Sequence, residues 1–181
     1  NFKIFSVSSL LLSIAILMLG NGPLPTILGV RLAEAGTPVW LIGIVMSLYY
    51  VGFVVGSKIA NYIIFLVGHI RTFAVFGSTM SAVTLAHAFL LEPIIWGIFR
   101  LIIGICAIGM FICIESWLNA KSENNNRGQI FSIYVITVYM FSAFGQFLVQ
   151  IPDESGFIIY LIISILMSLA IIPVSLTRIE P

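Results

Sequence analysis

The stretch IFRLIIGICAIGMFICIESWLNAK, Ile98–Lys121, decides how this chain is read. Residues 101–114 carry no charge, yet Arg100 closes one end of that run and Glu115 the other. A helix on the surface of a soluble domain would show charges on every turn of its wet face. Composition says which solvent applies. Of 181 residues, 60% are hydrophobic and 8% charged, against roughly 25% charged in an ordinary soluble domain. So few charges cannot clothe a surface in water. Apolar runs of about 18 residues or more recur along the chain, enough to cross a hydrocarbon core of about 30 Å. The fold expected is an all-α, polytopic membrane protein.

Working outward, the apolar runs and their punctuation predict six spans in a single transmembrane domain, 1–181. They lie at roughly 4–30, 39–67, 72–91, 94–119, 129–150 and 156–176. The connections RLAEAGTP, GHIR, EP, KSENNNRG and PDES are short. The sequence opens on Asn1 rather than Met, so the natural start is expected upstream. Ile4–Leu19 lacks a strongly basic leader and a small-residue cleavage site, and reads as the first span. With alternating crossings, Lys3, Arg71, Lys121, Arg127 and Arg178 fall on one side. The other side receives Arg31 with Glu34, Glu92, Asp153 and Glu154. Basic residues favour the cytoplasmic side, which places both termini there. Lys58 is assigned to neither side, since it can snorkel from within span two.

At 100° per residue, Gly97, Arg100, Gly104, Phe111 and Glu115 share a sector of about 60°. The two charges are about 22 Å apart along the axis and cannot pair. An arginine inside a span costs about 2.5–3.5 kcal/mol and normally faces protein or an aqueous cavity. Arg100 is therefore a cavity candidate, with snorkelling to the outer headgroups as the alternative. Glu115, nearer the inner interface, reads either as a gating or protonation site or as an anchor for the helix end.

Span one is interrupted by LGNGPLPT, Leu19–Thr26. Its two prolines remove backbone donors, and irregular backbone at this depth needs cover from protein or a water-filled cavity. It is either a proline kink or a place where Asn21 meets a solute. Gly52 and Gly56 in VGFVVGS form a small-xxx-small pair suited to tight helix packing. On span five, Tyr139, Gln146 and Gln150 supply polar groups, the two glutamines, four residues apart, sharing one helical face. They serve interhelical hydrogen bonds or solute contact. His87 reads as a packing or interface histidine. Ser47, Tyr49 and Tyr50 could line a cavity, but their periodicity does not decide it.

Cys106 and Cys113, about 10 Å apart on one helix, are beyond disulfide reach and read as packing residues. No His/Cys/Asp/Glu cluster has metal-ligand spacing. No serine or cysteine has a histidine placed to activate it, and there is no phosphate-binding glycine loop or channel filter. An enzyme, a cofactor and a nucleic-acid partner are not expected.

Arg100, Gly104 and Gly109 in RLIIGICAIG resemble the fourth-helix motif of the major facilitator superfamily, an arginine followed by spaced glycines. LGNGPLPT is similar to that superfamily's first-helix segment, and NNRGQIFSIY to its Arg-Gly opening of helix five. GHIR, Gly68–Arg71, falls where its loop between helices two and three sits, and IESWLN resembles a poorly characterised bacterial branch. The resemblance covers nearly the whole chain. It implies the amino-terminal six-helix half of a twelve-helix fold built from three-plus-three inverted repeats. Helices one and four would line the cavity, with Asn21 and Arg100 facing the solute and Gln146 as a further contact. Gly104 and Gly109 would pack helices, and Gly68 and Arg71 would belong to the cytoplasmic gate with Glu115.

Two departures matter. The expected G-x-x-x-D-R-x-G-R-R loop here places Asn61, Phe65 and Leu66 at its first glycine, acid and first arginine, with His69 at the next. The charge relay of that gate is thereby put in doubt. The fifth helix reads FSAFGQFL without the Gly-Pro antiporter signature, so drug–proton antiport is not supported. The implied function is secondary active transport of a small solute by alternating access in a bacterial inner membrane, this chain being an amino-terminal half or a truncated form. Implied partners are the lipid bilayer, the solute and a second six-helix half or a homodimer. The competing function is a non-transporting membrane bundle that binds or regulates a membrane partner.

Overall fold

A computed structural model describes residues 2–123, 125–153 and 156–176, with side chains from residue 7 onward. Asn1, Glu154, Arg178 and the side chain of Lys3, used above for orientation, lie outside the described residues. Helices dominate, and no strand forms among the described residues. They are α1 (Phe2–Asn21), α2 (Leu24–Glu34), α3 (Val39–Val67), α4 (His69–Ala86), α5 (Pro93–Lys121), α6 (Arg127–Gly145), α7 (Ile158–Leu169) and α8 (Ile171–Ser175). A 3₁₀ turn, Gln146–Gln150, extends α6.

Both terminal spans are broken where the sequence withholds backbone donors. Pro23 and Pro25 have no N–H to give to the carbonyls four residues back, so α1 stops at Asn21 and α2 restarts at Leu24. The helical path then runs on to Glu34. Arg31 and Glu34, expected in a loop, belong to the last turn of α2. The Arg31 side chain donates to the Asp153 carbonyl at 3.1 Å. Its guanidinium lies over Gly156, whose φ of +67° and crowded Cα position both exclude a side chain. α2 is thus tied to the loop that leads into α7.

Glycines set the closest helix approaches. A Cβ on Gly52 would overlap the Leu101 carbonyl, and one on Gly104 would overlap the Tyr49 carbonyl. The contact is reciprocal, each glycine lying three residues from the carbonyl that receives its partner. Gly56 faces Ile105, and Gly97 faces Val45 and Leu48, so α3 and α5 run parallel. The α1–α6 crossing repeats the device, with Gly22 against the Ser142 backbone and Gly145 against the Leu19 carbonyl. Two crossings of one design fit an internally repeated bundle. Gly109 of α5 receives the Phe76 ring of α4.

Among the described residues, five helical segments are long and apolar enough to cross a membrane: Val7–Glu34, Val39–Val67, Pro93–Lys121, Arg127–Gln150 and Ile158–Ser175. α4 does not reach that standard, so the count of six expected from the sequence is not met by composition. The reason lies mainly in the first turn of α4, where His69 and Arg71 fall within its eighteen residues, and secondarily in what it turns inward. Its Thr72, Gly77, Ser81 and Thr84 are buried. Ser81 and Ser164 of α7 exchange hydroxyl-to-carbonyl hydrogen bonds at 2.9 and 3.0 Å. Ser168 joins Ser81 at 2.8 Å. Thr72, Ser81 and Thr84 thus lower the hydropathy of α4 further although all three are buried. α4 runs antiparallel to α5, from His69 stacked on Trp117 to His87 packed against Trp96 and Phe99. That separation on α5 corresponds to about 30 Å of helix.

Candidate functional site

Arg100 projects from α5 into the bundle and is 3% exposed. Its Nε and Nη1 are buried and make no hydrogen bond to protein. What covers it is an aromatic face: the guanidinium carbon lies 4.5 Å from the centroid of the Tyr49 ring on α3. A desolvated cation–π contact of this kind is worth about 2 kcal/mol. The Gly104 crossing brings α3 close enough for it, since that glycine lies against the Tyr49 backbone. At the far side of Tyr49, its hydroxyl meets the side chain of Asn21, the last residue of α1. Three helices therefore converge as Asn21, Tyr49 and Arg100. Arg100 is thus enclosed by protein rather than carried on the outer surface of the bundle.

Gln146 borders the same break from the α6 side. Its amide donates to the Gly22 carbonyl at 2.9 Å and accepts from the Thr26 hydroxyl at 3.1 Å. The residue is itself exposed, so one amide both staples the interrupted helix and faces outward. Its pairing with Gln150 does not survive. The tighter 3₁₀ winding, three residues per turn, sets residues four apart about 120° from each other.

A second group lies toward the other end of α5. Glu115 is exposed, and its Oε1 accepts a hydrogen bond from the Tyr134 hydroxyl of α6 at 2.9 Å. The carboxylate opens into a groove of about 290 Å³ walled by Phe53, Phe111, Tyr134 and Tyr139. Between the two groups run the rings of Tyr49, Phe53 and Phe111, with successive centroids 5.7 and 6.2 Å apart. Arg100 and Glu115 thus stand at opposite ends of one aromatic lane.

Gly68 and Arg71 sit apart from both groups. Gly68 takes a φ of +82° between α3 and α4, a conformation suited to a residue without Cβ. Arg71 is exposed on the first turn of α4. The neighbouring His69 stacks on Trp117, and partial burial of its imidazole pushes the pKa below the usual histidine value. His87, at the opposite end of α4, packs inside a ring of Trp96, Phe99 and Tyr160. Cys106 and Cys113 are buried and unbonded. No group of His, Cys, Asp and Glu among the described residues is arranged to hold a metal.

Two participants escaped the sequence. Tyr49 was one of three neighbouring polar residues with no reason to prefer it, because its role comes from the α3–α5 crossing. Tyr134 carried no signal at all, since its partner Glu115 lies on the preceding helix across a turn. The glycine at 104 was the available clue to the first, marking where another backbone must come close.

The chain is 28% identical over 175 residues to proteins named uncharacterized MFS-type transporter YcaD from Salmonella newport, Salmonella typhi and Salmonella typhimurium. Each match covers 96% of this chain and 45% of the relative, so the chain spans about half the length of the curated relatives it matches. No family model matches. The resemblance to the major facilitator superfamily thus holds over nearly the whole chain, and its apolar helices make it an integral membrane protein.

Proposed function

We propose that this chain, similar over almost all its length to half of an MFS-type transporter, forms one six-helix half of a secondary active transporter. In this reading α4 is the third span, both termini are cytoplasmic, and the membrane is the bacterial inner membrane. The solute path follows the α1–α2 break and the inward face of α5. Arg100 supplies the charge that meets the solute, Asn21 and Gln146 supply polar contacts at the break, and Tyr49 covers the guanidinium when no solute is there. Gly68, Arg71 and Glu115 belong to the cytoplasmic gate. Alternating access arises as this bundle rocks against a second six-helix unit, either from the same polypeptide or from another copy.

The observation that carries the reading is the buried guanidinium of Arg100, with two nitrogens unmatched by protein and a helix break beside it. A residue kept there at a cost of a few kcal/mol is a functional candidate by default. A bundle serving only to bind a membrane partner has no need of it.

The test is solute uptake by cells carrying the intact gene, screened across amino acids, carboxylates, sugars and organic cations, against the Arg100→Ala variant at matched membrane abundance. The expected result is saturable uptake of one class, lost in the variant. Uptake indistinguishable from cells lacking the gene, for every class, would overturn transport and leave the partner-binding bundle.

A further inference from the structure

The groove at Glu115 is chemically unlike the Arg100 site, and its walls name a ligand. Four of its lining residues are aromatic: Phe53 from α3, Phe111 from α5, and Tyr134 and Tyr139 from α6. None of its lining residues is basic. The one charge is the Glu115 carboxylate, whose Oε1 is fixed by the Tyr134 hydroxyl. Tyr134 is itself buried, so the hydroxyl holds the carboxylate toward the groove rather than following it into solvent. An acidic side chain in a membrane-crossing helix ordinarily pairs with something, and its partner marks its function. Here the walls offer no counter-charge. They offer π faces, which attract cations, and apolar area, which favours a hydrophobic substituent.

We infer that the Glu115 groove binds an aromatic or otherwise lipophilic organic cation, the ammonium sitting between the carboxylate and the Phe53 and Phe111 rings. The apolar part of the ligand lies along Tyr139 on the open rim. A quaternary ammonium suits the site as well as a primary one, because the rings need no N–H and the free carboxylate oxygen needs only charge. The placement within a solute path rests on the transport reading; the binding chemistry does not.

The test is equilibrium binding of benzyltrimethylammonium to the purified full protein in lipid nanodiscs. Its charge cannot be removed by proton transfer, so it separates cation binding from simple protonation of Glu115. Benzyl alcohol serves as the uncharged comparison. The expected result is saturable binding that falls at least ten-fold in Glu115→Gln and several-fold in Tyr139→Leu, with benzyl alcohol failing to compete. Tyr139 is 73% exposed, so its replacement leaves folding intact even where Glu115→Gln does not. Two results would overturn the inference: no saturable binding at millimolar concentration, or equal affinity in the Tyr139→Leu and Glu115→Gln proteins and their parent. Binding of benzyltrimethylammonium without uptake of any solute class would refute transport and keep the site; uptake of a solute without that binding would do the reverse.

Discussion

Replacing Arg100 with methionine should stabilise the bundle while abolishing function. The side chain is 3% exposed, and Nε and Nη1 lack protein partners. A buried intramembrane arginine costs about 2.5–3.5 kcal/mol, of which the Tyr49 face at 4.5 Å returns about 2 kcal/mol. Methionine removes both quantities and refills the volume with a flexible apolar chain, so Arg100→Met should gain about 1 kcal/mol. Tyr49→Leu acts in the opposite direction. It leaves the guanidinium uncovered and should lose about 2 kcal/mol. On the Arg100→Met background the same tyrosine replacement should cost much less, giving a coupling of about 2 kcal/mol. Equilibrium unfolding in mixed detergent–denaturant micelles measures all four proteins. Loss of more than about 1 kcal/mol in Arg100→Met would refute the reasoning, because it would make the arginine a structural support rather than a tolerated expense. A coupling near zero would show that the ring does not stabilise the charge.

Three other outcomes follow from the packing. Gly104→Val should push α5 off the Tyr49 carbonyl and destabilise by about 1–3 kcal/mol, read in the same unfolding assay; an unchanged midpoint would mean the crossing is loose. Gln146→Leu removes both bonds to the α1–α2 break, at 2.9 and 3.1 Å, and should cost about 1 kcal/mol with faster backbone hydrogen exchange at Gly22, Leu24 and Thr26. Cys106 and Cys113 are buried, so the native protein should resist a membrane-impermeant thiol reagent, whereas an Asn21→Cys variant should be labelled if water reaches the break; mass spectrometry of the modified peptides reports both.

The sequence disclosed those features that a membrane imposes on every residue of a segment. α3 occupies the run 39–67 because it contains no proline and ends on Gly68, and α5 extends the expected 94–119 by a residue or two at each end. Features that depend on which way a helix faces were harder to see. α4 looks too polar for a span chiefly because its eighteen residues open on His69 and Arg71, and further because hydropathy counts Ser81 and Thr84 as if they met lipid, whereas both are spent on α7. The 3₁₀ winding at Gln146 separated a pair that regular helix geometry had aligned. At the candidate site, Arg100 and Asn21 were visible as anomalies of composition, a charge and an amide where neither is cheap. Tyr49 joins them only through the glycine-mediated crossing, and Tyr134 meets Glu115 only through tertiary packing.

The outer surface carries one more argument about what surrounds this bundle. α3 and the α6 segment are the least buried of the membrane-length helices. Near their midpoints stand Tyr50 and Tyr139, 68% and 73% exposed. Tyrosine is favoured at the headgroup level, where its ring is apolar and its hydroxyl wet. At mid-depth the hydroxyl would face hydrocarbon without a partner, which costs free energy. Trp40 and Tyr62, near the ends of α3, need no such explanation. The face bearing Tyr50, Tyr139 and the Glu115 groove is thus poorly suited to lipid and well suited to a polar cavity or a second protein surface. The exposed leucines, isoleucines and valines elsewhere ask only for lipid. On the transport reading, that tyrosine-bearing face is where the second half approaches. A cysteine at position 50 or 139 should then cross-link to the second unit, while one at Val75, exposed on α4, should not. Cross-linking from Val75 alone would put the partner on the wrong side and defeat the proposed arrangement of the two halves.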